Sequence, residues 1–304
     1  MAKLWRLSFK MKIAYLILAH KNILQLEKLI NTLDNDFSDF YIHIDKKTEV
    51  YSKIEKPNVI YLSDEERQDI TWGSFEMVKA TLNLINKCLK ASVLYDYVIL
   101  LSGQDFPVKS NTYIESFFEF GNKSNYIDFL KEDNPYIAKF DKRNNLIYPH
   151  WMFKRNPFVR CIKKLYIFFT GGPNYTFPML KKNKPFDYKL YYGSQWWALS
   201  GKCLNWMMEF LDDHPQFISY FETSLIPDES FFQTLFMLSP YANTKNNKIL
   251  FVRWEEKGNH PQIIDKKMAI ELADDTNNRF LFARKFDISI HKDAIDYLIK
   301  MNVG

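Results

Sequence analysis

Two pairs of adjacent ionisable residues in the sequence could carry chemistry. Asp228 and Glu229 follow Pro227, and Arg284 and Lys285 stand side by side near the end of the chain. A carboxylate that is fixed at the edge of a cleft could act as a general base. A neighbouring guanidinium and ammonium could bind phosphate oxygens and stabilise developing negative charge. Each pair also has a plain interpretation: an acidic first turn of the helix that follows, and two solvated surface cations.

Three further polar residues, His20, Asp45 and Asp105, follow apolar runs that are predicted to be buried strands. These runs are Ile13–Ala19, Phe40–Ile44 and Tyr97–Leu101. In open α/β sheets the ligand lies outside the carboxyl ends of the strands. We therefore expect the three residues at one rim of a parallel sheet, in a nucleotide-binding half over residues 11–110. His20 could contact a nucleotide there or be a simple turn residue.

The elements that must position these residues follow from the apolar spacing. Helical spacing after the first strand, and again from Ser74 to Leu89, predicts βαβ units and hence a parallel sheet. Further predicted elements are helices over 112–120, 202–212, 231–238 and 292–300 and strands over 59–62, 126–129, 193–200 and 249–254. Residues 255–287 are expected to be mostly irregular. No linker or repeat divides the chain, so the pattern predicts one α/β domain with a mostly parallel central sheet flanked by helices.

Several classes of function are disfavoured by what the sequence lacks. It has no GxxxxGK[ST] loop and no GxGxxG fingerprint, which argues against P-loop enzymes and dinucleotide redox enzymes. The three cysteines, Cys88, Cys161 and Cys203, are too far apart for a zinc site and give no disulfide framework.

A metal site is not expected either. Sugar-nucleotide transferases usually place Asp-x-Asp after a buried strand to hold a divalent metal, but here Ser-Gly-Gln-Asp follows the strand and Asp105 alone remains. Asp34-Asn35-Asp36 matches the motif literally but lies at the end of a helix, where a solvated turn explains it. Without a metal, Arg284 and Lys285 become the natural partners of a leaving diphosphate.

Six short motifs occur in an order that resembles the core-2/I-branching β-1,6-N-acetylglucosaminyltransferase family, which includes the peptide-O-xylosyltransferases. The resemblance covers about residues 13–290. The motifs are Trp72-Gly73-Ser74, Leu101-Ser-Gly-Gln-Asp-Phe-Pro107, Gly193-Ser194-x-Trp196, Pro227-Asp228-Glu229, Arg253-Trp254 and Phe282-Ala-Arg-Lys-Phe-Asp287.

The resemblance implies a GT-A fold and an inverting, metal-independent transfer from a UDP-sugar. It implies Glu229 as the catalytic base and Arg284 and Lys285 as the residues on the diphosphate. It also places Asp45 and Asp105 near the nucleotide or sugar, with His20 as a further candidate from its position.

On the acceptor side the resemblance implies Trp254. Trp196 or its neighbour Trp197 could stack on a sugar, and we assign Trp196 to the acceptor. Asp228 is expected to hold the turn as a cap or a hydrogen-bond partner, beside the acceptor. One departure is Gln262, which stands where core-2 enzymes have a further basic residue.

The net charge of +5 is concentrated in one segment. Residues 148–190 contain nine basic residues and one acid, a charge of +8, so the remainder carries −3. We interpret this segment as a basic, aromatic insertion, either an irregular excursion or a helix, between the nucleotide-binding half and an acceptor half over 191–304. It could contact acidic acceptors or an anionic membrane surface, or be a solvated insertion. No nucleic-acid partner is expected.

The beginning of the chain mimics a secretory signal, with basic residues before the run 13–19. The run is short and lacks a cleavage site, so a first strand is the preferred interpretation. Met11-Lys12 resembles an alternative start, which would make residues 1–10 an N-terminal extension. With no predicted membrane span and few cysteines, the sequence predicts a bacterial relative, either in the cytoplasm or peripheral at the inner face of the membrane.

The expected function is transfer of a sugar from a UDP-sugar, with GlcNAc first, to a hydroxyl of a glycan or glycolipid acceptor in surface polysaccharide synthesis. The expected product has a β-linkage, and no cofactor is required. UDP-xylose is the second donor, because Ala-Arg-Lys-Phe is the form found in the xylosyltransferase branch. The competing class is a transferase-like module that binds a glycan or polyanion without chemistry.

Overall fold

The apolar runs of the first hundred residues form the centre of the fold. The computed structural model describes residues 11–121, 124–153, 156–171, 181–255, 260–274 and 280–302. The predicted N-terminal extension, residues 1–10, lies outside the described residues, as does the Gly172-Pro173-Asn174 break within the predicted insertion.

The strands, in chain order, are β1 Ile13–Ala19, β2 Ser38–Ile44, β3 Val59–Tyr61, β4 Tyr97–Ser102, β5 Asp105–Pro107, β6 Asn125–Ile127, β7 Trp197–Ser200, β8 Lys245–Asn246, β9 Leu250–Val252 and β10 Phe282–Arg284. The helices are α1 Ile23–Leu33, α2 Glu76–Leu89, α3 Asn111–Phe120, α4 Ile137–Asn145, α5 Pro157–Gly171, α6 Gly201–Asp213, α7 Pro215–Glu222, α8 Phe231–Leu238, α9 Lys266–Asp274 and α10 Lys292–Asn302. Turns of 3₁₀ helix cover His150–Phe153, Pro227–Glu229 and Ala242–Thr244.

Within the described residues, seven strands form the main sheet in the order β3-β2-β1-β4-β7-β6-β8. The first four strands in this order are parallel, as the βαβ pattern predicts, and β7 is antiparallel to both β4 and β6. Every residue of β1 is buried, because helices cover both faces of its sheet. This is the mixed α/β, GT-A-like domain expected from the sequence.

A second sheet supports the candidate site. Its described strands are ordered β5-β10-β9, with β10 antiparallel to β5 and parallel to β9. Pairing places Arg284 opposite both Asp105 and Val252. Since β5 begins just after β4, this sheet brings the end of the chain to the carboxyl edge of the main sheet.

The prediction that residues 255–287 are mostly irregular is wrong, because α9 and β10 both lie there. Ile264, Met268 and Leu272 recur at helical spacing and are buried, which explains α9. The strand expected over 193–200 is shorter, since it begins at Trp197. The helix predicted over 202–212 is α6, which ends at Asp213, and Pro215 begins α7, where its fixed φ suits the first helical position.

The predicted basic insertion, residues 148–190, contains helical structure. Within the described part of residues 148–190, a 3₁₀ turn and α5 are helical, so the segment is partly a helical insertion. In the described part of the chain, no helix is both long and apolar enough to cross a bilayer.

Candidate active site

The turn that carries the two carboxylates is a separate 3₁₀ turn and not the first turn of α8. Ile226, just before it, has φ 58°, a left-handed conformation that costs a β-branched residue about 1–3 kcal/mol. Its N–H donates to the Gly73 carbonyl at 2.7 Å, and Gly73 itself has φ 82°. Ser230 stands at the N-cap position of α8, so Asp228 is not the helix cap that the sequence predicts. The strained turn is held from outside, by the Trp72-Gly73-Ser74 segment.

Glu229 forms an ion pair that sequence reasoning missed. Its Oε2 accepts a hydrogen bond from Arg143 Nη1 at 3.0 Å. Burial raises the pKa of Glu229 above its ordinary value, and the Arg143 guanidinium acts against that rise. Within the described residues the other oxygen, Oε1, accepts no hydrogen bond. A partly desolvated carboxylate with one open oxygen is suited to accept a proton.

Hydrogen bonds from residues on either side of the turn Pro227–Glu229 hold the part of the chain that carries Arg143. Arg143 lies in α4, and its carbonyl accepts from the Leu225 N–H at 2.9 Å. Next to it, the buried amide of Asn144 accepts from Ser230 Oγ at 2.8 Å through Oδ1. The sequence of α4 is largely polar, so apolar spacing did not reveal this helix. Arg143 is 86 residues from Glu229 in sequence, and no local signal joins the two.

Asp228 differs from its neighbour in its environment. Burial, and then the adjacent Glu229 carboxylate, raise the pKa of Asp228 to about 7. Burial thus raises the pKa of both adjacent carboxylates, and the Arg143 guanidinium opposes both rises. The predicted contact of Asp228 with the acceptor stays a prediction.

Arg284 and Asp105 form the second arginine–carboxylate pair of the site. Arg284 Nε lies 2.6 Å from Asp105 Oδ1, and the Ser102 N–H donates to Asp105 Oδ2 at 2.8 Å. The guanidinium carbon of Arg284 is 3.7 Å from the centre of the Trp196 ring, a cation–π contact. Trp196 therefore lies against a residue that is predicted to bind the diphosphate, and its own predicted contact with the acceptor stays a prediction. Its neighbour Trp197 is core.

Several cations converge where Arg284 and Lys285 leave β10. Desolvation, followed by the nearby charges of Lys21 and Arg284, lowers the pKa of Lys285. Desolvation and the charges of Lys21 and Lys285 likewise lower the pKa of His20. Within the described residues the Lys285 ammonium makes no hydrogen bond. A bound anion would relieve this mutual repulsion, and a diphosphate carries the charge to do so.

The loop after β1 is tied to the end of β10 by contacts that the sequence did not reveal. Lys21 Nζ lies 2.8 Å from Asp287 Oδ2, and this contact is the largest cause of the lowered pKa of Asp287. The fully buried Gln25 donates to the carbonyls of Gly103 and Phe286 at 2.9 and 3.2 Å. A polar residue on the buried side of α1 was the available signal.

The rim residues lie where the parallel strands end. His20 follows β1, Asp45 follows β2, and the Asp45 N–H donates to the Ala19 carbonyl at 2.8 Å. Asp45 Oδ1 accepts from the Lys47 N–H at 2.9 Å and lies 3.2 Å from Lys47 Nζ. Because β1 lies between β2 and β4, His20, Asp45 and Asp105 share one edge, as predicted. Their roles in binding stay predictions.

Four residues, Gly193 to Trp196, join the two arginine–carboxylate pairs. At one end the Gly193 N–H donates to the Glu229 carbonyl at 3.0 Å. At the other end the Trp196 ring packs against the Arg284 guanidinium. Three residue steps span at most about 11 Å, so the segment holds the turn Pro227–Glu229 near the cation cluster. A Cβ at Gly193 would lie 1.9 Å from the Asp128 carbonyl oxygen, which explains why glycine is needed there.

The remaining predicted site residues lie at the edges. Trp254 is 58% exposed and forms an isolated bridge with Pro261. It follows β9, the strand beside Arg284, so it stands at the same end of the small sheet as Lys285. Gln262 donates through its N–H to the Arg253 carbonyl at 2.8 Å. An exposed arginine is thus next to the position where core-2 enzymes have a basic residue.

A cavity of about 830 Å³ opens on another side of α4. Asp141 and Asn145 of this helix line it, together with Tyr191 and Tyr192, the residues before Gly193. Basic residues at its wall are Lys181, Lys182, Lys184 and Lys189. Burial lowers the pKa of Lys182 to about 7, and its Nζ donates to Ser224 Oγ and the Tyr220 carbonyl.

The literal Asp-x-Asp match lies away from this site. Asp34 Oδ2 pairs with Lys56 Nζ at 2.6 Å, and Asp34 Oδ1 accepts from Asn58 at 2.7 Å. The motif precedes β2, so it lies at the edge of the sheet opposite to the rim. Across the described ranges, no group of three or more His, Cys, Asp or Glu side chains is arranged to hold a metal ion.

Most of the residues described above lie in a region that matches a known protein family. The sequence profile described as "Core-2/I-Branching enzyme" matches residues 13–278. The chain belongs to this family. The matched residues include the rim residues, Arg143, the Gly193–Trp196 segment and the turn Pro227–Glu229, and the match ends before Arg284.

Curated relatives of the chain are named as glycosyltransferases. A xylosyltransferase of Ciona intestinalis is 24% identical over 94% of this chain and 34% of its own length. A β-1,3-galactosyl-O-glycosyl-glycoprotein β-1,6-N-acetylglucosaminyltransferase 4 of Mus musculus is 23% identical over 91% of this chain and 62% of its own length. The chain thus spans about a third of the xylosyltransferase and under two thirds of the second enzyme. At this identity the relatives do not decide between the two donors.

Proposed function

We propose that this member of the Core-2/I-Branching enzyme family transfers a sugar from a UDP-sugar to a hydroxyl of a glycan acceptor with inversion, forming a β-linkage. One observation carries the proposal. The Gly193–Trp196 segment binds the turn of Glu229 at one end and Arg284 at the other. A candidate base and a candidate diphosphate site are thus held by one short stretch of chain.

The geometry supports a single displacement. The acceptor oxygen attacks the anomeric carbon and forms the new C–O bond, while the bond from that carbon to the diphosphate oxygen breaks. Glu229 Oε1 takes the proton of the acceptor hydroxyl, and UDP leaves with the bonding electron pair. Arg284, Lys285 and Lys21 stabilise the charge that develops on the diphosphate. No covalent sugar–enzyme intermediate is needed.

We propose that this transfer does not depend on a divalent metal. Asp105, the residue left of an Asp-x-Asp pattern, has Oδ1 engaged by Arg284 and Oδ2 by the Ser102 N–H. The guanidinium and the backbone N–H together therefore occupy the two carboxylate oxygens that a metal would use. Turnover in EDTA should equal turnover in buffer with Mn²⁺. Loss of turnover in EDTA that Mn²⁺ restores would refute this step.

For the donor we propose UDP-GlcNAc first and UDP-xylose second. The relatives include enzymes named for each sugar, and Ala283-Arg284-Lys285-Phe286 is the form that favours xylose. Thermal shift with UDP, UDP-GlcNAc and UDP-xylose compares the donors, because a bound ligand raises apparent stability by mass action. The true donor should also be hydrolysed slowly without acceptor. A UDP-sugar that binds but is never hydrolysed or transferred would favour a non-catalytic binding module.

For the acceptor we propose a glycan or glycolipid of a bacterial surface polysaccharide, modified at the inner face of the membrane. The cavity beside α4 is lined by tyrosine, aspartate, asparagine and lysine side chains, which suit stacking and hydrogen bonding to a sugar. Tyr192 lines it and directly precedes Gly193. A further sugar of the acceptor could lie there. Product analysis with short oligosaccharide acceptors tests this part of the proposal.

A further inference from the structure

We propose that one face of α5, formed by Phe158, Leu165 and Phe168, docks onto an anionic lipid bilayer. Docking would hold the catalytic turn next to the headgroups, where a lipid-linked acceptor sugar is presented. This second step rests on the proposed transferase function, whereas the docking step does not.

The face is apolar and open to solvent. Phe158, Leu165 and Phe168 are 72%, 51% and 74% exposed. Residues separated by seven and by three positions lie on the same side of a helix. Trp151, also exposed, lies on the 3₁₀ turn against which α5 packs. Large apolar side chains that are exposed together on one side of a helix indicate an interaction surface.

The charge around this face selects an anionic occupant. The sequence of α5 contains Arg160, Lys163 and Lys164 and no acidic residue, and the Lys164 side chain is exposed. The segment 148–190 as a whole carries +8. A helix that is basic in sequence and exposes Phe and Leu side chains is the pattern of helices that lie in the membrane interface. A second copy of the chain would bring two +8 segments together, which charge repulsion disfavours.

The length of α5 fits a helix that lies along the surface. It has 15 residues, or about 22 Å at the rise of an α-helix, which is short of the roughly 30 Å hydrocarbon core. The three exposed side chains would enter the boundary between headgroups and acyl chains, with the basic residues at the phosphates.

A small apolar cluster connects this helix with the catalytic turn. Met152 and Phe153, from the 3₁₀ turn before α5, pack with Leu146 and Tyr148, and Leu225 packs against the same cluster. Leu225 stands two residues before Pro227, and its N–H donates to the Arg143 carbonyl. The docking face and the proposed base therefore share one rigid support.

Vesicle co-sedimentation of the full chain tests the docking step. Vesicles of phosphatidylcholine mixed with phosphatidylglycerol should bind the protein, and pure phosphatidylcholine or high salt should weaken binding. The double variant Phe158→Ser with Phe168→Ser should bind at least about tenfold more weakly, because two aromatic rings leave the interface. Phe120→Ser is the matched control, since Phe120 is 77% exposed on α3, and it should bind like the wild type.

Three results would overturn the proposal: no binding of the wild type to anionic vesicles, equal binding to both vesicle types, or a double variant that binds like the wild type. Sedimentation equilibrium adds a fourth, a wild-type dimer that the double variant dissociates, which would assign the face to a second copy. The thermal shift with UDP should be the same in both proteins. Absence of that shift in both would count against the proposed function and leave the docking result standing.

Discussion

Two arginine–carboxylate pairs stand at the two ends of the Gly193–Trp196 segment, and they differ in how far they are removed from water. The Asp105 side chain is fully buried, and both of its oxygens are hydrogen-bonded. The Glu229 side chain is 32% exposed, and Oε1 is open in the described part of the structure. The first pair fixes the position of a cation, and the second leaves a carboxylate able to exchange a proton.

The buried pair should be the more costly one to break. Asp105→Asn keeps the shape of the side chain but leaves the Arg284 charge without its partner in a buried site, which typically costs about 3–5 kcal/mol. Urea unfolding measures this loss. Glu132→Gln in the exposed pair of Glu132 with Lys189 is the control, and it should change the free energy of unfolding by less than about 1 kcal/mol. Equal costs at the two positions would contradict the contrast in burial.

The pair of Arg143 with Glu229, the more exposed of the two, should affect the pH profile of activity more than the free energy of unfolding. Arg143→Ala should lower the free energy of unfolding by about 1–2 kcal/mol, between a surface pair and a buried one. Arg143 opposes the rise in the pKa of Glu229, so its removal should shift the acidic limb of kcat/KM to higher pH.

Arg143→Lys should reverse part of this shift, because lysine returns the positive charge but not the planar guanidinium. If the acidic limb stayed in place in both variants, then Arg143 would not set the protonation of the base.

An effect that depends on pH is expected at Asp228, next to the proposed base. Its pKa of about 7 lies above the ordinary value of 3.8, so the folded state holds the proton more tightly than the unfolded chain. The resulting stabilisation is complete below about pH 4 and is lost as the pH rises to about 7. Asp228→Asn should therefore gain a few degrees in Tm relative to the wild type over this pH range. A constant difference in Tm would mean that Asp228 does not titrate there.

The parallel part of the main sheet and its two helices, within residues 13–102, could be predicted because their sequence signals are local. β1, β2 and β4 are continuous apolar runs, and α1 and α2 have apolar residues at helical spacing. The parallel order followed from strand–helix–strand succession. The rim positions of His20, Asp45 and Asp105 followed from that order.

Other parts depended on contacts that no local pattern encodes. α4 has a polar sequence, and Arg143 reaches Glu229 across 86 residues. The stacking of Arg284 on Trp196 joins residues 88 positions apart in the chain, so no local pattern could reveal this contact. α9 was a missed signal rather than an absent one, because its apolar spacing is visible in the sequence.

The most direct test of the account is the comparison of UDP binding and sugar transfer in Glu229→Gln. The account predicts that UDP binding stays within about twofold of the wild type, because the cation cluster at Arg284 and Lys285 is untouched. Transfer should fall by about 10²- to 10⁴-fold, the usual contribution of a general base. A variant that binds UDP and transfers sugar at the wild-type rate would show that Glu229 is not the base.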